Sequence, residues 1–358
     1  MTEPTLELHE PVDAFRRIED WLRTLGFFEA GGEELVADLY LGYGLSQAIR
    51  RGSAAPPPEP CAALPLAACK IRANDDLVAQ SHKVVEVGSW EQTWTAAEYR
   101  AAVDEVRDAI AQGDVYQVNL VQHLSAPFSG EPKALAACLA GLRPRYSAPF
   151  VTAEWAVVSA SPELFLARRG ERLWTMPIKG TRPLGEAAEL LASEKDAAEH
   201  VMIVDLERND LSRVCRAGSI RWPELMATRE LAGVEHMVTT VEGDLREGVE
   251  LAEILAATFP GGSVTGAPKI AAVDLIAELE PVGRGASMGA IGRVYGSGDF
   301  DLTLTIRTFA VADGMLHLWV GGGVVWDSDP ASELEESWTK ARPLLEAIGS
   351  RVPEPVAM

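Results

Sequence analysis

Strand-like runs arrive in this chain in clusters, with helical patterns between the clusters, and that ordering constrains the fold more than any other feature. The runs fall at residues 151–160, 173–178, 219–222, 287–295, 302–311 and 316–325, and the helical patterns around 186–210, 250–258, 267–279 and 330–348. Strict strand–helix alternation would build a parallel sheet; clustering predicts an α+β protein instead. A further strand is expected at 116–124, where Tyr116, Val118 and Leu120 alternate with Gln117, Asn119 and Val121 and point amides to one side. Ahead of it, Thr95-Ala96-Ala97-Glu98 has the form of a capping box. It opens a helix with Tyr99, Val103, Val106 and Ile110 on one face, and Gly113 stands ready to end it.

The stretch Arg51–Pro60 contains Pro56, Pro57, Pro58 and Pro60 and cannot continue a helix or a central strand. Residues 1–60 are therefore expected to form a short, helical N-terminal region followed by a proline-rich linker, packed as one unit on the remainder. A formal net charge of −21 repels nucleic acid and anionic membrane surfaces, so an anionic ligand has to be held by locally placed cations. No apolar run approaches a membrane span, and Met1-Thr2-Glu3-Pro4 lacks the basic and apolar regions of a signal peptide, so the cytoplasm is the expected compartment. Cys61, Cys69, Cys138 and Cys215 have neither metal nor disulfide-framework spacing, and read as reduced, buried thiols.

Several segments carry chemistry. Lys179 lies in Pro177-Ile178-Lys179-Gly180-Thr181, between an extended apolar run and a glycine that permits left-handed backbone. An amine desolvated at such a strand end becomes a nucleophile, although a solvated lysine beside a turn has the same local sequence. Asp196 with Glu199, and Glu333 with Glu336, are spaced to share helix faces, as Mg²⁺-ligating carboxylates or as solvated charge. Asp329-Pro330 is a good helix start, which places Glu333 and Glu336 near the positive dipole end, and Lys340 follows Glu336 by one turn. Phe259–Lys269 resembles a phosphate loop but has Ala267-Pro268 where a Walker motif needs Lys-Ser/Thr, so its exposed N–H groups suit a carboxylate better. Arg307 interrupts an apolar strand and requires an anion, either a bound carboxylate or an internal partner. Gly321-Gly322-Gly323 allow close approach to a strand.

Together, Tyr116–Leu120, Ser161-Pro162-Glu163, Pro177–Thr181, Glu199–Asp210, Phe259–Lys269, Thr305–Thr308, Gly321–Gly323 and Glu333–Lys340 resemble the chorismate-utilising enzymes, in unbroken order over residues 85–350. The resemblance implies a two-sheet β core wrapped by helices, with chorismate and Mg²⁺ in a deep cleft of one catalytic domain. Lys179 resembles the lysine that marks aminodeoxychorismate synthase component I, where anthranilate synthases usually have alanine. Gln117 stands where water-adding relatives carry an activating lysine. The implied roles are Lys179 as nucleophile at C2, Glu163 as acid for the C4 hydroxyl, and His236 beside the ring. Gly180, Thr181, Thr265 and Lys340 would cradle the ring carboxylate, and Arg307 with the Gly321 N–H the enolpyruvyl carboxylate. Glu199 and Glu336 would bind Mg²⁺, with Asp196 and Glu333 behind them.

Relatives usually place tyrosine where Arg293 stands, so Arg293 or Tyr295 is expected to grip the side-chain carboxylate. No glutaminase module is visible in the sequence, so a separate glutamine amidotransferase subunit is expected to supply ammonia. The resemblance also leaves room for an anthranilate synthase component I, for a specialised-metabolite rather than a folate pathway, and for a non-catalytic ligand-binding paralogue. The paralogue would have lost acidic positions that this chain keeps.

Overall fold

The computed structural model describes residues 4–72, 84–231 and 234–351. In chain order the elements are β1 (Thr5–Leu8), α1 (Ala14–Thr24), β2 (Val36–Leu41), β3 (Ala67–Arg72), β4 (Glu86–Val87), β5 (Glu91–Gln92), α2 (Ala96–Gln112), β6 (Gln117–Ser129), α3 (Pro132–Leu139), β7 (Phe150–Val151), β8 (Trp155–Ser159), β9 (Leu164–Arg169) and β10 (Arg172–Met176). They continue with β11 (Ile178–Pro183), α4 (Ala187–Ala192), α5 (Glu194–Ser212), β12 (Arg221–Leu231), β13 (Val234–Asp244), α6 (Leu251–Thr258), β14 (Gly266–Ala267), α7 (Lys269–Leu279), β15 (Ala290–Tyr295), β16 (Phe300–Leu304), β17 (Thr308–Ala312), β18 (Met315–Val324) and α8 (Pro330–Ala347). The expected α+β class holds.

Two antiparallel sheets form the frame. The larger runs β1-β3-β2-β15-β16-β9-β10-β13-β11, with β12 also on β13; the smaller runs β14-β6-β18-β17-β8-β7, with β4 and β5 on β6. One hydrophobic cluster joins them, drawing Leu39, Tyr40, Phe300 and Leu302 from the larger sheet and Leu120, Phe309, Leu318 and Trp319 from the smaller.

The N-terminal expectation needs correction. Besides α1, the first 72 residues supply β1, β2 and β3, and β2 pairs directly with β15, so this region completes the larger sheet. The strand was hidden by Asp38, which stands in the middle of six buried residues and is neutralised there by Arg72 at 2.6 Å and the Tyr146 hydroxyl at 2.6 Å. The proline-rich stretch is tied down rather than free, since Pro58 O accepts from Gly283 N and Glu59 from Gly285 N.

The capping box forms as expected, with Thr95 and Glu98 bonding reciprocally and Gly113 closing α2 in left-handed conformation. The single helix expected at 186–210 is two, because the Ser193 side chain caps α5 by accepting from Asp196 N. The strand expected at 219–222 extends to Leu231, and α8 continues past Pro343 as one element. All four cysteines are free, three of them buried and Cys138 partly so. Among the described residues no helix is long and apolar enough to cross a membrane.

Candidate active site

The run expected as one strand over 302–311 breaks at Arg307, whose φ of 50° is left-handed. The break has a purpose in the topology, because β16 lies in the larger sheet and β17 in the smaller. The chain crosses the seam between sheets there, and it crosses again beside it between β8 and β9, at Ser161-Pro162-Glu163. The crossings are stitched by Leu304 N to Glu163 O at 3.0 Å, Ala160 N to Arg307 O at 2.9 Å, and the Ser159 and Thr308 hydroxyls at 2.8 Å. Glu163 and Arg307 are thus fixed on adjacent strand ends at the seam between the sheets.

Glu163 is only 4% exposed. Burial pushes its carboxyl above the usual carboxylate range, opposed by the Ser263 hydroxyl, Lys179, the Ile178 N–H and Arg307. The Arg307 guanidinium is half-buried and makes no hydrogen bond or ion pair with any described residue; burial lowers its pKa and Glu163 opposes the shift. Of the two readings of Arg307, the internal salt bridge is not formed with any described residue.

Lys179 is aimed by a β-bulge. The β11–β13 register slips between Lys179, opposite Met237, and Thr181, opposite His236, with Gly180 at φ 64° as the extra residue. A side chain at Gly180 would strike Leu190 and come within 3.3 Å of the Asp196 carboxyl carbon, so glycine is required twice over. The Lys179 amine makes no hydrogen bond or ion pair with a described residue. Burial holds its pKa below the ordinary lysine value against the raising influence of Glu199, Glu163 and Glu336, while Lys340 lowers it further. A buried acid and a half-buried amine, each pushed toward neutrality, thus lie within electrostatic reach of each other.

The end of β18 lies against the Lys179 amine. Its pairing with β17 stops at Leu318, whereas pairing with β6 continues to Val324, so the glycine triplet lies on an edge without a second strand neighbour among the described residues. A methyl group at Gly323 would overlap the Gln117 amide and sit 3.5 Å from Lys179 Nζ. Gln117 is 0% exposed, yet neither of its amide atoms has a hydrogen-bond partner, and Asn119 Oδ1 lacks one too. Such orphaned amides are costly unless a ligand completes them.

At Gly322 a methyl group would meet Lys340 Nζ at 3.2 Å, Glu336 Oε1 at 3.3 Å and Glu333 Oε2 at 3.4 Å. This glycine-floored cradle of hard oxygens suits Mg²⁺, which takes one or two carboxylates and completes its shell with water and ligand oxygens. Glu336 pairs with Lys340 at 2.7 Å, Lys340 also donates to Gly321 O at 3.0 Å, and Glu333 accepts from Ser328 at 2.6 Å. Asp196 is turned to Arg182 at 2.8 Å, and Glu199 lies within electrostatic reach of Lys179. Among the described residues no three His, Cys, Asp or Glu side chains are gathered as a ready metal cluster, so the four carboxylates converge only in part.

His236 Nδ1 donates to Gly180 O at 3.2 Å, and burial keeps the ring below its usual pKa, hence neutral. The Thr265 hydroxyl is spent on Gly261 O at 2.8 Å within its own loop. Thr181 is carried by the bulged strand β11. Arg293 is not brought to the group: it lies over the Tyr146 ring and 3.6 Å from Asp38, while Tyr295 packs under Arg169. The acid in β2 that sequence reading overlooked is what draws Arg293 away.

Sequence reasoning missed Ser263, Glu207 and His200. Ser263 donates to Glu163 at 2.9 Å, Glu207 accepts from Gly262 N at 3.0 Å, and the fully buried His200 ring meets the Thr239 hydroxyl at 2.5 Å. Ser263 stood in a motif read only for its glycines; nothing in the helical pattern around Glu207 or His200 signals burial against a loop. Lys269, the residue that invited a phosphate-loop reading, pairs with Asp210 and with Thr258 O.

The profile described as chorismate binding enzyme matches residues 53–346. The chain is 44% identical over 259 residues to the anthranilate synthase component 1 of Thermus thermophilus, covering 70% of this chain and 56% of the relative. It is 39% identical over 281 residues to the aminodeoxychorismate synthase component 1 of Bacillus subtilis, covering 76% and 60%. The chain thus spans little more than half the length of these curated relatives. Among solved structures, the anthranilate synthase component I of Streptococcus pneumoniae superposes with a TM-score of 0.78 at 26% identity, over 86% of this chain and 80% of that one.

Proposed function

The chain belongs to the chorismate-binding enzyme family, and from that membership we propose that it aminates chorismate at C4, giving 4-amino-4-deoxychorismate with ammonia from a separate glutamine amidotransferase subunit. The observation that carries this reading is the Lys179 amine: half-buried, without a hydrogen-bonding partner among the described residues, and carried by the Gly180 bulge to within electrostatic reach of Glu163. In this reading the neutral amine bonds to C2 of the ring, the two conjugated ring double bonds shift toward C4, and the C4–O bond breaks. Glu163 gives its proton to the departing oxygen, which leaves as water rather than hydroxide. Ammonia then bonds to C4, both double bonds shift back, and the C2–N bond breaks, restoring the lysine amine. The proton shed by the new ammonium returns to Glu163, so acid and nucleophile are both regenerated.

Arg307 would hold the enolpyruvyl carboxylate, and the Gln117 and Asn119 amides would find their missing partners on ligand atoms. Lys340 and the Gly180–Thr181 backbone would meet the ring carboxylate, with His236 bracing the Gly180 carbonyl from behind. Glu333 and Glu336, with Glu199, would hold Mg²⁺, which when bound neutralises carboxylate charge beside the ring. Arg293 is left out of this assignment because Asp38 and Tyr146 engage it.

A second reading, amination at C2 with loss of pyruvate to give anthranilate, is favoured by the higher identity to the Thermus relative. Incubation with chorismate, Mg²⁺ and ammonium, followed by mass analysis of products with and without an added lyase, separates the two. A product retaining the enolpyruvyl group, and its loss in Lys179→Ala, is expected; fluorescent anthranilate formed by both proteins would overturn the C4 assignment. Turnover on glutamine by the purified chain alone would remove the amidotransferase subunit from the proposal.

A further inference from the structure

Both internal donors to the Glu163 carboxyl reach the same oxygen. Ser263 Oγ donates to Oε1 at 2.9 Å, and Ile178 N–H donates to Oε1 at 3.3 Å. A neutral carboxyl carries its hydrogen on one oxygen only, and a hydroxyl oxygen facing two donors is a poor arrangement. Oε2 is therefore the atom left to bear the hydrogen. Ser263 belongs to the loop between α6 and α7, and the residue before it, Gly262, donates its N–H to Glu207 Oε1 at 3.0 Å. Glu207, on α5, is 4% exposed. A side chain at Gly262 would lie 3.1 Å from Glu207 Oε1 and would press on Leu206, so the glycine lets the loop close on the helix. Adjacent residues of one loop thus bond two buried carboxyls carried by different elements.

We infer that Ser263, held in place by the Gly262–Glu207 hydrogen bond, fixes the acid hydrogen of Glu163 on Oε2, making Ser263 and Glu207 positioning residues for proton delivery. The inference rests on the reading of Glu163 as the acid. The charged groups around the pair agree with it. Lys269 and Asp210 face Glu207 but are bonded to each other, and Arg213 bears on Asp210. Lys179 and Arg307 face Glu163 from the cleft side. Glu207, with no cation to itself, stays neutral, pushed up to about 8 by burial and by Asp210. A glutamine in its place would still present an oxygen to the Gly262 N–H.

The test compares Ser263→Ala, Glu207→Leu, Glu207→Gln and the double variant Ser263→Ala/Glu207→Leu. Chorismate consumption with ammonium is followed, a readout indifferent to which carbon is aminated. Ser263→Ala should lower kcat roughly 10- to 100-fold, part of the usual general-acid contribution, with KM within about twofold of the parent. Glu207→Leu should lower kcat by less, and Glu207→Gln should recover most of that loss. If Glu207 acts only through Ser263, the double variant should be no worse than Ser263→Ala; multiplied losses would overturn the inference, as would a defect confined to KM. An arm without turnover reads the carboxylic C=O band assigned to Glu163 by difference against Glu163→Gln. That band should move in Ser263→Ala and, by less, in Glu207→Leu, and an unmoved band overturns the inference. Should the parent consume no chorismate, the amination reading fails, while the infrared arm still decides where the hydrogen resides.

Discussion

Replacing Gly323 by alanine asks whether the glycine triplet exists to make room for the amine and the amide. The added methyl group would overlap Gln117 Nε2, stand 3.1 Å from Gln117 Cδ and touch Lys179 Nζ at 3.5 Å. Gln117 is completely enclosed and β6 holds its backbone through the Gly323–Asn119 register, so the amide must rotate toward the cleft rather than retreat. Overfilling of this kind costs about 1–3 kcal/mol of stability. A displacement on the order of 1 Å among reacting groups lowers turnover by about 100-fold. Gly322→Ala is the internal control, since its methyl group meets only the tips of Lys340, Glu336 and Glu333, at 3.2–3.4 Å, which can each give by a few tenths of an ångström. That variant should lose under about 1 kcal/mol and need more Mg²⁺ for half-maximal rate, with turnover largely restored at saturating metal. Urea unfolding and chorismate consumption, each across a Mg²⁺ titration, give the comparison. Equal turnover in Gly323→Ala and the parent, or equal and metal-independent losses in both variants, would refute the steric argument.

Arg307→Leu removes a half-buried cation without a hydrogen-bonded or ion-paired partner among the described residues, so it should leave stability unchanged or raised while KM for chorismate rises about 10- to 100-fold, the worth of a charged hydrogen bond; a lowered melting point with unchanged KM would mean that Arg307 is structural. For Glu207, the folded-state value near 8 lies above its ordinary 4.5, so the folded protein holds the extra proton between these values. Its contribution is full below about pH 4.5 and lost as pH rises through 8, so the stability advantage of Glu207→Gln over the parent should widen by up to about 1.4 kcal/mol per pH unit in that window, as denaturant midpoints would read. Thr95→Ala deletes the hydroxyl that accepts from Glu98 N at 3.2 Å and should cost about 1 kcal/mol without changing kcat; a change in turnover would place α2 in the catalytic apparatus.

What the sequence made legible follows from how local the signals are. The α2 capping box, the β6 alternation and the glycine at the Lys179 turn are decided within a few residues, and each forms as expected. The N-terminal strands are not local. β2 reads Val-Ala-Asp-Leu-Tyr-Leu, and Asp38 spoils its apolar run unless Arg72 and Tyr146, both distant in sequence, are known to neutralise it. The same acid explains why Arg293 could not be placed by its neighbours, since its partners stand on another strand and in a loop. Arg307 was legible as an oddity, a cation in an apolar strand, but that the strand changes sheets at that residue depends on which sheet β17 joins, a long-range choice. Hydroxyl and carboxyl groups acting through a loop, as in Ser263 and Glu207, leave no periodic trace.

The seam between the sheets also bears on why acid and amine stay apart. Opposite charges at Glu163 and Lys179 would attract, but the desolvation of a buried ion pair can exceed the attraction gained unless further hydrogen bonds satisfy both members. Here Glu163 has its two donors from Ser263 and Ile178, whereas Lys179 has no acceptor among the described residues, so the charged amine would be the unsupported member. Glu336, a carboxylate within electrostatic reach of the amine, is drawn to Lys340 at 2.7 Å. Burial thus pushes both groups toward their neutral forms, the forms that the proposed addition to a ring carbon with protonation of a departing hydroxyl requires. Removing Lys340 should therefore act on the amine as well as on the anion it meets: in Lys340→Met a cation that lowers the Lys179 pKa is gone, the amine holds its proton to higher pH, and the rising limb of the kcat–pH profile should move to higher pH. An unmoved limb with a raised KM would confine Lys340 to ligand binding.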